Sequence, residues 1–488
     1  MLEVGRIVFQ GSFGIVMSRN LFILVLLACG FLSEAANAQQ NVEAYKQDRV
    51  PTSLLQDRSK RMKLRNDINR ILAGRSPVNE NFDKWYNLFI LPRMTRYEPI
   101  ADTVPNPLGQ LSEWRYEFYQ DLRIAAKNEV VHGRLNNLVF DYMSKVVKDN
   151  YHPAVRYNAM LIIGDLNQRE LVVSGGAKSL PVAWHDKLEF IVGEVISPDQ
   201  IDAVRVAGLI GTKRHVELDS LSSGGSPIPQ GVKSELASRL LQVVVAKCPS
   251  DRSPGGHAWM QRQAIQILAL LKSEDNQGAV TKELLAIISD EEQPLGLRCS
   301  TTAALVQLAS PEVLGQASND LTTKFTQLAI AACEQEAIRL KQEQGAAQET
   351  SEDNRVASQA DPFDSPVVEI SLNNLKWHLY ASYVGFVGVD QKGGLRAVGD
   401  TGEVKRIEKI VAVINTIMDN CSKPNSDLRR AIMDIRKGCQ ELKRLTASQV
   451  PAPEVETPAD ASIDVDAADA AAPSENDAAE VDFEFSES

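Results

Sequence analysis

Residues 152–166, HPAVRYNAMLIIGDL, contain the pattern that decides the fold. Five apolar residues occupy offsets 0, +4, +7, +8 and +11 from the first of them. They are Val155, Ala159, Ile162, Ile163 and Leu166. These offsets place the five side chains on one face of an α-helix. Because a helix with one apolar face buries that face, the stretch predicts a helix packed on helical neighbours.

The same template occurs again further along the chain. Two full copies are Met260, Ala264, Ile267, Leu268, Leu271 and Leu297, Thr301, Ala304, Leu305, Leu308. A weaker copy starts at Ala203, continues through Ala207, Ile210 and Gly211, and has Arg214 at its last position. Each copy follows another predicted helix, so each repeat is a hairpin of a helix A and a helix B. Repeated hairpins stack on one another, which predicts an all-α fold, an α-solenoid.

Two of these B helices, at residues 153–164 and 294–301, resemble the second helix of HEAT/armadillo-type repeats. The resemblance covers about residues 130–310 and implies a scaffold-like fold without specifying an activity. The residues that carry the repeat signature are Pro153, Val155, Arg156, Ala159, Gly164, Met260, Ala264, Leu297, Arg298 and Thr301.

The first 38 residues predict a bacterial secretory signal peptide. A charged segment at Arg19, an apolar run over 21–32 and an Ala-x-Ala site indicate cleavage after Ala38, and the charged segment fits best if translation starts at Met17. The alternative is a lipid anchor at Cys29, in the lipobox-like sequence Leu-Leu-Ala-Cys. Either route predicts export to the periplasm or cell envelope. We expect no transmembrane segment once the signal is removed.

The C-terminal segment 448–488 predicts a disordered acidic tail. From residue 450 onward it carries twelve Asp and Glu residues and no Lys or Arg. This charge equals the formal net charge of the whole chain, −12, so the rest of the chain is formally neutral. We therefore expect no nucleic-acid partner. Phe483 and Phe485, the only aromatic residues of the tail, are candidates for binding a partner protein.

Three further segments complete the predicted organisation. Residues 39–110 form a helical and loop region, 111–310 form the repeats, and 311–447 form a C-terminal helical cap with a flexible insertion at 345–366. Region 39–110 holds a basic run over 58–75, which we interpret as a solvated helix face; the alternatives are binding to an anionic surface or to the acidic tail. The aromatic residues between Phe82 and Tyr119 are expected to pack the cap of the solenoid; the alternative is a ligand or partner surface.

The sequence predicts no catalytic, cofactor-binding or metal-binding residue. The six histidines are scattered, and neither a zinc-type Cys/His spacing nor H-E-x-x-H or G-x-S-x-G occurs. His185 and Glu189 share the i, i+4 spacing of a helix face, but an ordinary surface pair explains them.

These observations lead to one expectation and two alternatives. We expect an exported, non-enzymatic scaffold or adaptor that binds a protein or peptide partner on its helical-repeat surface, with no cofactor. The first alternative is an enzyme or ligand-binding module in residues 39–120 and 345–447, where the repeat pattern fails. The second is a structural envelope component that self-assembles.

Overall fold

The computed structural model describes residues 44–99, 104–174, 177–222, 227–353, 366–389, 391, 393–422 and 428–447. The predicted signal peptide with Cys29 and Ala38, most of the predicted insertion, and the acidic tail with Phe483 and Phe485 lie outside these residues. The described chain divides into two compact units. Unit 1 contains the residues up to Gln316 together with Val387–Gly394, and unit 2 contains Ala317–Phe386 and the residues from Leu395 onward.

The described part of unit 1 begins with four helices. They are α1 (Thr52–Gln56), α2 (Arg58–Leu72), α3 (Glu80–Trp85) and α4 (Pro107–Ala125). Helix α3 continues through a π-helical turn, Tyr86–Ile90, into a last short turn, Leu91–Arg93. Its aromatic residues enter the same hydrophobic core as the first repeat. Phe82 and Phe118 are at most 1% exposed, so much of the aromatic concentration does pack the core.

Four helical hairpins follow. Their A helices are α5 (Glu129–Lys148), α7 (Leu188–Ile196), α9 (Gln230–Val245) and α11 (Gln277–Ser289). Their B helices are α6 (Pro153–Asp165), α8 (Asp202–Ser220), α10 (Pro254–Leu271) and α12 (Leu295–Leu308), and a short helix α13 (Pro311–Gln316) ends the unit. Each A helix packs on its own B helix, and the B helices pack on one another in chain order. This arrangement confirms the predicted all-α solenoid of stacked hairpins.

The small amount of β structure lies in the connection between α6 and α7. Strand β1 (Asn167–Arg169) pairs antiparallel with β4 (Val182–Ala183), and β2 (Val172–Ser174) pairs antiparallel with β3 (Ala177–Ser179). A 3₁₀ turn, His185–Lys187, then leads into α7.

Unit 2 is built from four longer helices. They are α14 (Ser318–Asp353), α15 (Pro366–Val387), α16 (Thr401–Cys421) and α17 (Leu428–Ala447). Helix α17 packs on both α14 and α16, and Phe325 of α14 meets Phe386 of α15 with ring centroids 5.8 Å apart. Helix α14 continues to Asp353, so residues 345–353 are helical. The flexible insertion expected at 345–366 stays a prediction.

The three full copies of the template face the interior as expected. Their fifteen side chains are all at most 5% exposed. Pro153 occupies the first position of α6, which tolerates the missing backbone N–H. Thr301 stands at a template position because its hydroxyl donates to the carbonyl of Leu297, at 2.8 Å, within its own helix.

The expected register of the second copy is wrong by one residue. All five template offsets from Val204 fall on buried positions of α8, namely Val204, Gly208, Gly211, Thr212 and His215. Of the five offsets from Ala203, only Ala207 and Gly211 are buried. Ile210, placed inside by the expectation, is 38% exposed. The apolar pattern does not reveal this register, because two glycines, a threonine and a histidine stand where the template has apolar residues.

The residue that follows the first template position has the same role in all four hairpins. Its side chain donates a hydrogen bond to a carbonyl at the C-terminal end of the preceding A helix. The bonds are Arg156 Nε to Val147 O at 3.0 Å, Arg205 Nη2 to Ser197 O at 2.6 Å, Gln261 Nε2 to Val244 O at 2.8 Å, and Arg298 Nε to Ile288 O at 3.2 Å. The last carbonyls of a helix lack partners within that helix, so this residue caps helix A from helix B.

Helices α6 and α8 come close together at a pair of glycines. A Cβ atom added to Gly211 would lie 2.8 Å from the Cα of Gly164, and one added to Gly164 would lie 2.7 Å from the Cα of Gly211. Such distances are shorter than real contacts, and the obstacle is backbone that cannot rotate away. Gly164 and Gly211 therefore set the spacing of α6 and α8.

We predict that Gly211→Ala destabilises unit 1 by about 1–3 kcal/mol, because the added methyl group forces α6 and α8 apart. Thermal unfolding followed by circular dichroism should show a midpoint lower by several degrees. The matched control is Gly193→Ala in α7, where an added Cβ meets nothing within 4 Å. The control should unfold at or above the native midpoint; equal midpoints for the two variants would contradict the assignment.

Candidate functional site

The exposed side of the stacked B helices is the first candidate site. We call it the B-face and define it by template offsets +2 and +6 of the first three B helices. It consists of Tyr157 and Leu161 on α6, Val206 and Ile210 on α8, and Arg262 and Gln266 on α10. All six side chains are half-buried or exposed. Because they occupy equivalent positions in adjacent stacked helices, they form two parallel rows.

Three flanking residues extend the B-face. Lys213, Trp259 and Leu270 continue the same helix faces at i+3 or i+4 spacing and are half-buried. Lys213 Nζ donates to Gln266 Oε1 at 2.8 Å, which ties the exposed sides of α8 and α10 together. Burial lowers the pKa of Arg262, although its guanidinium stays charged at neutral pH. The surface therefore combines apolar, aromatic, amide and cationic groups.

A buried polar network behind α6 and α8 is the second candidate. His215 is fully buried at the template position that Leu166, Leu271 and Leu308 occupy elsewhere. Its Nε2 donates to the carbonyl of Gly164 at 3.2 Å, since a carbonyl can only accept. Arg214 donates to the same carbonyl at 3.3 Å. Together these two side chains cap the C-terminal end of α6.

The network continues towards two further histidines. The ring of His185 stands edge-on to His215 with centroids 5.4 Å apart. Arg214 also donates to Asn167 Oδ1 at 2.5 Å, and Asn167 donates to Glu170 at 2.9 Å. Glu170 lies 3.5 Å from Nε2 of His132. Histidines that are far apart in the sequence are thus joined by contacts. His185 lies in the 3₁₀ turn before α7, whereas Glu189 lies on α7 itself.

Burial controls the ionisation of this network. It lowers the pKa of His215 to about 3, assisted by the positive charge of Arg214, and it also lowers the pKa of His185. Both rings are therefore neutral at pH 7. Within the part of the chain that the structure describes, no group of three or more His, Cys, Asp or Glu side chains could hold a metal ion. The arrangement fixes the end of a helix and responds to acid.

A cleft between α2, α3 and α4 is the third candidate. It has a volume of about 340 Å³ and is lined by Arg65, Trp85, Phe89, Ile90, Arg93, Glu117, Phe118, Gln120 and Asp121. Arg65 holds the buried carboxylate of Asp121 through two hydrogen bonds of 2.6 and 2.7 Å. The hydroxyl of Tyr86 donates to the same carboxylate at 2.9 Å, and burial raises the pKa of Tyr86 well above its usual value.

The second arginine of the cleft lies between two aromatic rings. The guanidinium of Arg93 is 5.4 Å from the ring centres of both Phe89 and Trp114 and is paired with Glu117. Arg93 Nε and Trp85 Nε1 are buried N–H donors that have no partner among the residues described. Buried donors are usually paired, so these two atoms are available to an acceptor that enters the cleft.

The basic run over 58–75 is only partly a free surface. Arg61 donates to the carbonyls of Leu54 and Leu55, both at 2.9 Å, and so caps α1, while Arg65 is held by Asp121. Arg58, Lys60, Lys63, Arg70 and Arg75 are exposed.

Sequence reasoning missed Gln261, Arg214, Gly211 and His215 as residues with a defined role. The sequence signal for Gln261 is its position directly after Met260, equivalent to Arg156 and Arg298. No pattern in the sequence marks the pairing of Gly164 with Gly211, because it joins different repeats.

Comparison with protein-family models, with curated proteins and with solved structures gives no match to this chain. Among the described residues, no helix has both the length and the apolar character needed to cross a membrane. Function is therefore inferred from the chain's own residues.

The buried histidine predicts a loss of stability in acid. In the unfolded chain His215 titrates near its usual pKa of 6.5, whereas in the folded chain its pKa is about 3. Below pH 6.5 the unfolded state therefore binds a proton that the folded state excludes, and the free energy of unfolding falls until pH 3. At pH 4.5 we expect a loss of about 2 kcal/mol from this group alone.

The test compares urea unfolding between pH 7 and pH 4.5 for the native chain and His215→Gln. The glutamine keeps an N–H donor for the Gly164 carbonyl but does not titrate. Its free energy of unfolding should fall less with acid than that of the native chain. Parallel pH curves for the two proteins would contradict the assignment.

Proposed function

We propose that this chain is an exported, non-enzymatic scaffold of the HEAT/armadillo type that binds a protein or peptide partner on its B-face. The observation that carries the proposal is the contrast between the two sides of the B helices. The template positions of α6, α8 and α10 are buried, whereas the B-face presents Tyr157, Trp259 and Arg262, which are half-buried. Tyr, Trp and Arg are the residues most often found at the energetic centres of protein interfaces.

The chemistry of the B-face favours one kind of partner. Lys213 and Arg262 supply positive charge, Leu161, Ile210 and Leu270 supply apolar contact, and Gln266 supplies an amide. A peptide segment with apolar and acidic side chains would match these groups. The rows cross three helices, so an extended segment fits them better than a single side chain does.

The proposed location is the periplasm or cell envelope of a bacterium. It is supported by the charged segment, the apolar run and the Ala-x-Ala site within residues 1–38. Cleavage after Ala38 would release the chain, and lipidation at Cys29 is the alternative route.

We predict that Lys213→Glu combined with Trp259→Ala greatly weakens partner binding, since it cancels the positive charge of the B-face and removes its largest aromatic side chain. The measurement is affinity capture from envelope extract, quantified by mass spectrometry, with the native chain and the double variant as baits. Proteins enriched by the native chain should fall at least about tenfold, as expected when an interface loses a residue from its energetic centre.

The control for this experiment is Lys63→Glu combined with Tyr116→Ala, which changes a lysine and an aromatic residue at exposed sites outside the B-face. It should leave the enrichment unchanged. Circular dichroism of each bait shows that it is folded. Equal enrichment by the native chain and the B-face variant would exclude the B-face as the binding surface.

The cleft at Arg93 supports a second candidate function, a ligand-binding module within residues 39–120. The specific observation is the pair of unpartnered donors, Arg93 Nε and Trp85 Nε1, at a cleft with aromatic walls. A small molecule with a carboxylate and an aromatic ring has the acceptors and the apolar surface that this cleft could use.

Among the described residues nothing favours the other alternative, self-assembly, and we do not propose it.

We predict that N-acetylphenylalanine, used as a probe, binds to the cleft if this second function is correct. Saturation-transfer NMR should detect the probe on the native chain, and Glu117→Gln should strengthen binding because it frees Arg93 from its ion pair. Arg93→Gln should weaken it. The control, Arg134→Gln, removes an exposed arginine paired with Asp83 and should have no effect; the same signal from all four proteins would reject the cleft.

A further inference from the structure

The outer face of α17 carries three pairs of adjacent basic residues at seven-residue spacing. We call this face the basic stripe. The pairs are Arg429 and Arg430, Arg436 and Lys437, and Lys443 and Arg444. Seven residues are close to two helical turns, so the pairs lie on one side of the helix, about 10 Å apart. All six side chains are exposed.

Every charged side chain of the basic stripe is positive, whereas α17 as a whole also contains acids. The other exposed positions between the pairs are Met433 and Gln440, and neither is acidic. The two acids of α17, Asp434 and Glu441, lie at the edge of the stripe and are half-buried. The apolar side of α17 packs into unit 2 with Ile435 and Leu442 at most 1% exposed, so the stripe cannot turn inward.

Half of this charge lacks a partner within the described residues. Lys443 is paired with Glu334 at 2.5 Å, and Arg444 is paired with Glu441 at 2.6 Å. For Arg430, Arg436 and Lys437 the described part of the chain provides neither an ion pair nor a side-chain hydrogen bond. Three uncompensated cations on one helix face repel one another and attract a polyanion.

We propose that the acidic tail, residues 450–488, folds back on the basic stripe of its own chain. The tail carries twelve acids and no Lys or Arg, and it begins three residues after α17 ends. The 39 residues of the tail span more than about 100 Å when extended, whereas the 20 residues of α17 span about 30 Å. Covalent attachment holds the acids near the stripe at an effective concentration in the millimolar range.

The tail also matches the apolar residue of the stripe. Met433 is 68% exposed between the first and second basic pairs. A thioether makes favourable contacts with aromatic rings, and Phe483 and Phe485 stand among acids in the sequence Asp-Phe-Glu-Phe. The aromatic residues that we singled out as partner-binding candidates would then have an intramolecular site.

The basic run of α2 is a poorer match for the tail. Asp67 interrupts it, and Arg61 and Arg65 are held by carbonyls and by Asp121. Its exposed lysines, Lys60 and Lys63, therefore serve as an internal control for a contact that depends only on positive charge.

The test is zero-length carbodiimide cross-linking of the full chain, which joins a lysine to a carboxylate in direct contact. We expect cross-links from Lys437 and Lys443 to tail carboxylates, at least about tenfold more abundant than from Lys60 and Lys63, because each exposed ion pair adds only modestly and several must act together. They should fade at about 0.5 M salt, where charges are screened within a few ångströms. Mixing isotope-labelled and unlabelled chains identifies cross-links formed within one chain.

A pair of charge-removing variants separates docking on the basic stripe from a general attraction of the tail to cations. Arg430→Gln combined with Arg436→Gln keeps good helix formers on α17 and should lower the Lys437 cross-links severalfold, while Lys60→Gln combined with Arg70→Gln should not. Circular dichroism confirms that both remain helical. Tail cross-links spread evenly over all exposed lysines, found only between different chains, or unchanged by the α17 variant would overturn the proposal.

Discussion

The packing of B helix against B helix is the constraint on which the rest of unit 1 depends. Helix α6 has neighbours on both sides, and only a narrow face of it remains half-exposed. At its contact with α8 there is no room for side chains, so Gly164 and Gly211 bring the two backbones together. This approach also delivers Arg214 and His215 to the end of α6. Spacing, helix capping and the acid-sensitive histidine therefore follow from one close contact.

Much of the fold was predictable from the sequence because the apolar template positions are the positions that become buried. Val155, Met260 and Leu297 start copies whose members are all buried, and side-chain volume and spacing are enough to reveal such a face. The second copy failed for a physical reason. At Gly208 and Gly211 the space is filled by neighbouring groups, namely the side chain of Val195 and the backbone of Gly164, rather than by the residue itself. A search for apolar residues cannot detect a position that must be glycine because any larger side chain would collide with its neighbours.

The candidate sites were less predictable, since each depends on residues that are distant in sequence. Arg65 belongs to the run that we interpreted as a solvated face, yet its guanidinium is held by Asp121, 56 residues later. His185 and His215 meet only because α7 and α8 form one hairpin beside the β connection. The basic stripe is the exception: its three pairs are visible in the sequence, but only the packing of α17 shows that they point away from the core.

The capping residue of each B helix has a consequence for how such a chain can change its length. Arg156, Arg205, Gln261 and Arg298 each close the A helix of their own hairpin, so the hydrogen bonds that cap helix A are complete within the hairpin. The connection that follows a B helix does not take part in these bonds. It can therefore gain or lose residues without breaking the caps of the A helices, provided that Asn167, which bonds to Asn136 of α5 and Arg214 of α8, keeps its place in the first connection. The four B templates start at 155, 204, 260 and 297, and this unequal spacing is what connections of variable length produce. The hairpin is therefore the unit that could be added or removed to build a longer or shorter version of this protein.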